Sequence, residues 1–166
     1  MTVQRSQHVW LYCVALVTAL FSTAAIAAPV AAPFRATIAF TEQVGPTATN
    51  ADCALTGTIS GVGTAPKLGT VHLTSVDCIN PLSPTSFLFL SDEVVLTLDG
   101  GDQIWAAYGG TLSATDGVIK GTYFIFGGTG RFANAAGVGK IDGFEAIDFG
   151  TGAGRGQIQL NGTLAY

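Results

Sequence analysis

The chain has 166 residues, 22 of them glycine, and a formal net charge of −4 at neutral pH. Charged residues make up 11% of it, against about 25% in an average soluble domain. Lys and Arg number only 7 and form no cluster, so no surface is suited to neutralising phosphates, and nucleic acid is excluded as an expected partner.

The amino terminus has the organisation of a secretory signal peptide. Arg5 precedes an uncharged, mostly apolar run that ends in small residues. A cut between Ala27 and Ala28 leaves small residues one and three positions before the bond, as signal cleavage requires. We therefore expect residues 1–27 to be removed and residues 28–166 to form one secreted or periplasmic domain without membrane association. An uncleaved membrane anchor is the alternative, since about 20 apolar residues can span a bilayer.

Two cysteines remain after this cleavage, Cys53 and Cys78. The compartments beyond the inner membrane are oxidising, so the pair predicts one disulfide. Closing a loop of about 25 residues stabilises a domain by roughly 3 kcal/mol on the chain-entropy argument. Two buried thiols are the alternative.

Alternation of apolar and polar residues with a period of two dominates the mature chain. It predicts eight strands, over residues 34–42, 53–60, 68–77, 87–98, 103–109, 118–126, 138–145 and 157–166. Clusters of turn-forming residues predict the connections, at 45–46, 61–66, 80–84, 99–101, 116–117 and 150–156. Antiparallel strands with short connections and no covering helix close most economically into an all-β, eight-stranded barrel. A β-sandwich is the alternative.

The same alternation predicts which side chains face the barrel interior. The inward face of the first strand ends in Glu42, which we expect at the solvated rim, as is usual for a single carboxylate at a strand end. Inward positions give five candidates for binding a small apolar molecule: Phe40, Tyr108, Tyr123, Ile125 and Glu145. The buried tyrosine hydroxyls need hydrogen-bond partners, because an unpaired buried hydroxyl is costly, and a nearby carboxylate such as Glu145 is one that could supply them.

Some strands are apolar on both faces. Residues 87–90 and 123–126 run without a polar interruption. A monomeric barrel does not need apolar side chains on its outer surface, so the pattern predicts a homo-oligomer formed through that surface.

Catalytic and metal-binding signatures are missing from the sequence. His72 is the single histidine of the mature chain and shares a polar strand face with Thr70 and Thr74. One histidine and no Cys-x-x-Cys motif provide too few ligands for zinc, and no Gly-x-Ser-x-Gly elbow is present. We expect no metal, no cofactor and no catalytic residue.

The most distinctive segment is the glycine-rich run over residues 127–137, GGTGRFANAAG. Its Gly-x-Gly-x-x-Ala spacing is similar to a dinucleotide-binding fingerprint, which needs a helix directly after the glycines. Glycines at 137 and 139 would break such a helix within two turns. We expect a structural turn instead, in which Gly127, Gly128 and Gly130 permit positive φ and Phe132 closes one end of the barrel.

This turn belongs to a longer pattern that extends from Gly101 to Ile141 and includes Tyr108-Gly109-Gly110. The pattern resembles the second half of the allene oxide cyclase and dirigent barrels, and still more the exported bacterial proteins of unassigned function that carry GGTGRFA. It covers about a third of the mature chain and implies the barrel fold. In the cyclases a carboxylate and an amide precede a first-strand proline, whereas here those positions, counted from Pro46, hold Thr37 and Ala39.

These observations favour an exported binding or structural protein with an apolar lumen. Eight strands enclose an interior just wide enough for side chains alone or for one small ligand. A cyclase or isomerase of the allene oxide cyclase kind is the first alternative, with Glu42 and Glu145 as its available interior carboxyls. A cell-surface or adhesive structural protein is the second.

Overall fold

The computed structural model describes residues 30–47 and 52–166. The expected signal peptide, its cleavage position and the alternative membrane anchor lie outside the described residues. No helix within the described ranges is long and apolar enough to cross a membrane. The elements are β1 (Ala32–Pro46), β2 (Leu55–Ala65), β3 (Gly69–Ser83), β4 (Ser86–Leu98), β5 (Gln103–Ser113), β6 (Val118–Gly128), a 3-10 turn (Gly130–Phe132), β7 (Ala136–Asp148) and β8 (Ala153–Ala165).

The eight strands form one closed antiparallel barrel. Each strand pairs with its neighbours in the chain, and β8 pairs back onto β1. Closure leaves no strand edge with unpaired backbone groups, which explains how a chain with so little charge avoids edge-to-edge association. The all-β barrel predicted from the alternation is confirmed, and the sandwich is not formed.

Four predicted turns are wholly or partly wrong because their glycines or prolines lie within strands. Residues 45–46 end β1, residues 61–65 continue β2, residues 80–83 continue β3, and residues 153–156 open β8. A Cβ on Gly61 would come within 2.9 Å of Ile38 Cγ2 on β1. Glycine at that position therefore serves the close approach of two strands, which period-two reasoning on one strand cannot detect.

The barrel is packed solid at the end where β1 begins. Phe34, Ile38, Ile104 and Ile125 are each at most 5% exposed there. Phe132 from the 3-10 turn is fully buried and closes this end, as the sequence predicted. Its ring centroid lies 4.6 Å from that of the last residue, Tyr166.

The glycine-rich segment is a turn, although its glycines act differently from expectation. Of the three, Gly130 alone has a positive φ, 54°. A Cβ on Gly128 would overlap the Gln103 carbonyl oxygen and approach Phe132 Cβ to 2.8 Å. The helix that a dinucleotide site requires is replaced here by a three-residue 3-10 turn.

The predicted disulfide is confirmed, since Cys53 and Cys78 are bonded. It ties the segment before β2 to β3. Asn80 adds two hydrogen bonds, donating through Nδ2 to the Asp52 carbonyl (3.0 Å) and accepting through Oδ1 from the Ala54 amide (2.9 Å). Together these links hold the chain at the end of the barrel opposite Phe132.

Large apolar side chains remain exposed on the outer face of β6 and β7. Phe124, Phe126 and Phe144 are each at least 50% exposed, and the first two rings stack with centroids 6.4 Å apart. Phe124 and Phe126 belong to the apolar run over residues 123–126 noted in the sequence, whereas Phe144 lies outside the two runs. Self-association through them stays a prediction.

Candidate functional site

The half of the barrel opposite Phe132 holds a cavity of about 360 Å³. Its wall is mainly apolar and aromatic, and the second void, deeper in the packed half, measures only about 20 Å³. The ends of all eight strands surround the cavity, among them residues Phe40, Leu55, Ile79, Phe89, Leu112 and Ile141. The lumen is thus filled by side chains in one half of the barrel and open in the other.

Inward-facing glycines keep this half of the lumen open. Each lies beneath a larger side chain of a neighbouring strand, which rests flat against the barrel wall where a Cβ would otherwise stand. The pairs are Glu42 over Gly57, Glu145 over Gly154 and Phe40 over Gly156. The two glutamates are held against backbone rather than across the cavity.

Glu42 on β1 and Glu145 on β7 face each other across β8. Each is 7% exposed, and Oε1 of each has no hydrogen-bond partner within the described part of the chain. Two ionised carboxylates cannot hydrogen-bond to one another, but one protonated carboxyl can donate to the other. The pair is therefore arranged to hold a proton between its two members.

Burial controls the ionisation of this pair. Desolvation, reinforced by the hydrogen bond and negative charge of Glu145, raises the pKa of Glu42 to about 9. The pKa of Glu145 is also raised, first by burial and further by the charge of Asp77. At neutral pH the pair accordingly retains a proton that exposed carboxyls would have lost.

A second polar group adjoins the pair on the opposite wall. Tyr108 on β5 donates to Oδ1 of Asp77 on β3 (2.6 Å), and the Tyr108 hydroxyl also lies 2.9 Å from Ser75 Oγ. Ser75 Oγ lies 2.8 Å from Asp77 Oδ1 and 2.9 Å from Ser91 Oγ, and Ser91 donates to the Val76 carbonyl (2.8 Å). Ser75, Asp77 and Ser91 are all buried.

This second group also favours a bound proton. Burial raises the pKa of Asp77 to about 7, although the hydrogen bonds from Tyr108 and Ser75 oppose the shift. Burial and the charge of Asp77 also raise the pKa of Tyr108 well above its usual value, so the phenol stays neutral.

The five residues expected to bind a ligand are divided between the two halves of the barrel. Phe40, Tyr108 and Glu145 line the large cavity. Tyr123 and Ile125 line the small void of the packed half, and the Tyr123 hydroxyl has no partner among the described residues. The acceptor of Tyr108 is a carboxylate, as expected, but it is Asp77 rather than Glu145. A binding role for each residue stays a prediction.

Two acidic residues differ from their sequence-based interpretation. Glu42 is buried in the lumen rather than solvated at the rim, because Gly57 on the adjacent strand provides the space for it. Asp77 was not recognised as a candidate. It continues the buried alternation of Val71, Leu73 and Ser75, and this local signal was sufficient to find it.

The positions that correspond to the polar residues of the cyclases are outside the lumen. Thr37 and Ala39 are both exposed on β1. His72 is exposed as well, with Nε2 3.9 Å from Asp99 Oδ1. Within the described residues, no three His, Cys, Asp or Glu side chains converge in a way that could hold a metal ion.

Comparison with solved structures shows a similarity to a dirigent protein. No protein-family model matches the chain. No curated protein matches it either. The solved structure of a pterocarpan synthase dirigent protein is similar to this chain with a TM-score of 0.46 and 11% sequence identity, over 80% of this chain and 95% of that one. The assignment of a closed barrel rests on the strand pairing described above.

Proposed function

We propose that this protein is an exported binding protein whose lumen holds one small, largely apolar molecule. The observation that carries the proposal is the 360 Å³ cavity, with an apolar wall and a few buried polar groups. Small-molecule sites are typically of about 300–1,000 Å³ and combine apolar walls with a few polar groups that orient the ligand. The carboxyl groups of Glu42, Asp77 and Glu145, which line the cavity, are such groups.

Packing in the other half of the barrel supports this interpretation. The end of the barrel opposite the cavity is filled almost completely by buried side chains, among them Phe132, Ile104 and Ile125. An eight-stranded barrel of this kind can therefore be filled by side chains alone. Around the cavity, Gly57, Gly154 and Gly156 let larger side chains of the neighbouring strands lie against the barrel wall, and the space between the walls stays unfilled. A purely structural barrel has no need of an unfilled half, because filling it would add apolar burial and stability.

A neutral fluorescent probe tests the binding function. Titrating 1-N-phenylnaphthylamine into the folded protein should give a saturable rise in emission with one site per barrel. Ile158→Phe, which adds a ring at the cavity wall, should weaken this binding at least tenfold. Gln159→Phe, which adds the same ring on the exposed face of the same strand, should leave it unchanged. A linear titration, or equal effects of the two variants, would contradict the proposal.

Export is a second component of the proposal. The disulfide is compatible with an oxidising compartment, and the amino-terminal sequence has the signal-peptide pattern. Fractionation of the native host should recover the protein outside the cytoplasm, and amino-terminal sequencing should begin at Ala28. Recovery of a cytoplasmic protein that begins at Met1 would refute export. It would not bear on the binding function, which the titration tests.

The ionisation of Glu42 favours one further candidate function, an isomerase or cyclase. A carboxylic acid that stays neutral at pH 7 inside an apolar site can act as a general acid. Glu42 would protonate the oxygen of a strained cyclic ether as its C–O bond breaks, and would recover a proton from the rearranged product. We expect the protein to convert indene oxide faster than buffer alone does, and we expect Glu42→Gln to lose this acceleration. Equal rates with and without protein would exclude this activity for that class of ether.

A further inference from the structure

The cavity brings together two chemical features that the proposed apolar guest alone does not explain. Three carboxyl groups reach it from three strands, Glu42 on β1, Asp77 on β3 and Glu145 on β7. None of the described residues that line it is Lys, Arg or His. Its wall therefore provides acidic groups that can ionise or accept hydrogen bonds, with no basic side chain among the described residues to neutralise them.

Aromatic rings surround the same space. Five of the lining residues are aromatic: Phe40, Phe87, Phe89, Tyr108 and Phe149. Phe40 lies two residues before Glu42 on the same face of β1, and its ring packs over Gly156, the β8 residue paired with Glu145. An aromatic face thus stands beside the carboxyl pair. Cations bind favourably over such faces, and aromatic cages are the usual receptors of ammonium groups.

The carboxyl pair is also incompletely satisfied. Oε1 of Glu42 and Oε1 of Glu145 are inaccessible to solvent and lack hydrogen-bond partners within the described residues. A buried acceptor without a donor is unfavourable. A ligand with hydrogen-bond donors and a positive charge would supply the donors that these oxygens lack once the carboxyl groups turn from the barrel wall toward the cavity that they line.

We propose that the ligand of this cavity is an apolar organic cation, an amine on an aliphatic or aromatic body. Its ammonium group binds between Glu42 and Glu145, and its body lies against the aromatic and aliphatic wall. This inference rests on the proposed binding function and specifies the chemical class of the ligand. A neutral ligand with a hydrogen-bond acceptor is the competing possibility, since a protonated carboxyl could donate to it.

The two possibilities predict opposite dependences on pH. An aliphatic amine, with a pKa near 10.4, stays cationic between pH 6 and 8.5. In the empty cavity the raised pKa values of Glu42 and Asp77, about 9 and about 7, mean that protons occupy the carboxyls. Glu145 has a raised pKa too, and Tyr108 stays neutral. A cation must displace these protons, so its affinity rises with pH, whereas a neutral acceptor loses its donor and binds more weakly.

Three probes with one apolar body separate the outcomes: 4-phenylbutylamine, 4-phenylbutanol and 4-phenylbutyrate. Calorimetric titration of the full mature protein should show the amine binding at least tenfold more tightly than the alcohol at pH 8.5, with a smaller advantage at pH 6. The anionic butyrate should bind most weakly. At pH 7, titrations in phosphate and in Tris should differ in heat because amine binding releases protons.

The results that overturn the inference differ from those that overturn the binding function. An alcohol that binds as tightly as the amine at both pH values would refute the cation and leave an apolar-guest protein. Absence of binding by all three probes, together with a linear dye titration, would refute both. Tightest binding by the butyrate would also refute the cation.

Matched variants locate the effect at the carboxyl pair. Glu42→Gln and Glu145→Gln should each lower the affinity for the amine at least tenfold at pH 8.5 while retaining affinity for the alcohol. Glu93→Gln makes the same charge change on an exposed residue of β4 and should alter neither. Equal losses for amine and alcohol would show a change of shape and overturn the assignment. Thermal melting of each variant checks that it is folded.

Discussion

Replacing Glu42 with glutamine should make the protein more stable, and increasingly so as the pH rises. In the folded state burial raises the pKa of this carboxyl from 4.5 to about 9. An acid whose folded pKa exceeds its unfolded pKa binds its proton more tightly when folded. The associated stability is therefore fully present below pH 4.5 and is lost progressively until the pH reaches about 9.

The size of the effect follows from the difference between the two pKa values. Each pH unit above 4.5 lowers the contribution of this carboxyl to the free energy of unfolding by about 1.4 kcal/mol. The loss reaches about 3 kcal/mol at pH 7 and about 6 kcal/mol at pH 9. Glutamine is neutral at every pH and fits the same volume, and its amide can donate to Glu145. Asp77 is present in both proteins, so its own contribution cancels in the comparison to a first approximation.

Urea denaturation monitored by circular dichroism at pH 5, 7 and 9 measures this difference. Glu42→Gln and the wild type should have similar free energies of unfolding at pH 5 and should diverge at pH 7 and 9, with the variant more stable. Glu93→Gln, on the exposed surface, should show no such divergence. A constant difference between Glu42→Gln and the wild type across this range would refute the idea that a buried, protonated carboxyl lines the cavity.

Three further predictions concern stability and are measured by thermal or urea unfolding. Tyr108→Phe should lower the free energy of unfolding by about 1–3 kcal/mol because it removes the donor to a buried carboxyl. Tyr123→Phe should be neutral or stabilising, since the Tyr123 hydroxyl has no partner among the described residues. Equal effects of the two variants would contradict this prediction. Gly57→Ala should cost about 1–3 kcal/mol because its Cβ would overlap the neighbouring carboxyl. Gly45→Ala, with nothing within 4 Å of its Cβ, should change stability by less than about 0.5 kcal/mol. Reducing the disulfide should cost roughly 3 kcal/mol, and an unchanged melting temperature would show that the bridge constrains little.

Period-two alternation predicted the barrel because the direction of a strand side chain is a local property. On β8, Ile158 and Leu160 are buried while Gln159 is exposed, as the sequence of that strand alone indicates. The same rule extends to Asp77, which falls on the buried face of β3. It was missed because the predicted strand ended there, at a proline-containing stretch that the structure retains within β3.

The carboxyl pair was harder to predict because it depends on residues from other strands. Glu42 can be buried only because Gly57 lies beside it on β2, and Glu145 because Gly154 lies beside it on β8. Each contact requires the register between strands, which a single sequence does not contain. In the sequence, glycines near these positions predict turns. In the structure, the glycines beside the two glutamates provide the space that their side chains occupy.

The position of the destabilising buried carboxyls along the barrel supports the proposed binding of a ligand. Apolar side chains fill the end closed by Phe132, while the buried carboxyls of Glu42, Asp77 and Glu145 lie around the cavity. One such carboxyl, Glu42, opposes folding by about 3 kcal/mol at pH 7, comparable in size to the stabilisation of roughly 3 kcal/mol expected from the disulfide. That bridge lies at the cavity end of the barrel, beside β2 and β3. A barrel shaped for stability alone would have an apolar residue in place of Glu42, so the buried carboxyls support the proposal that the cavity binds a ligand.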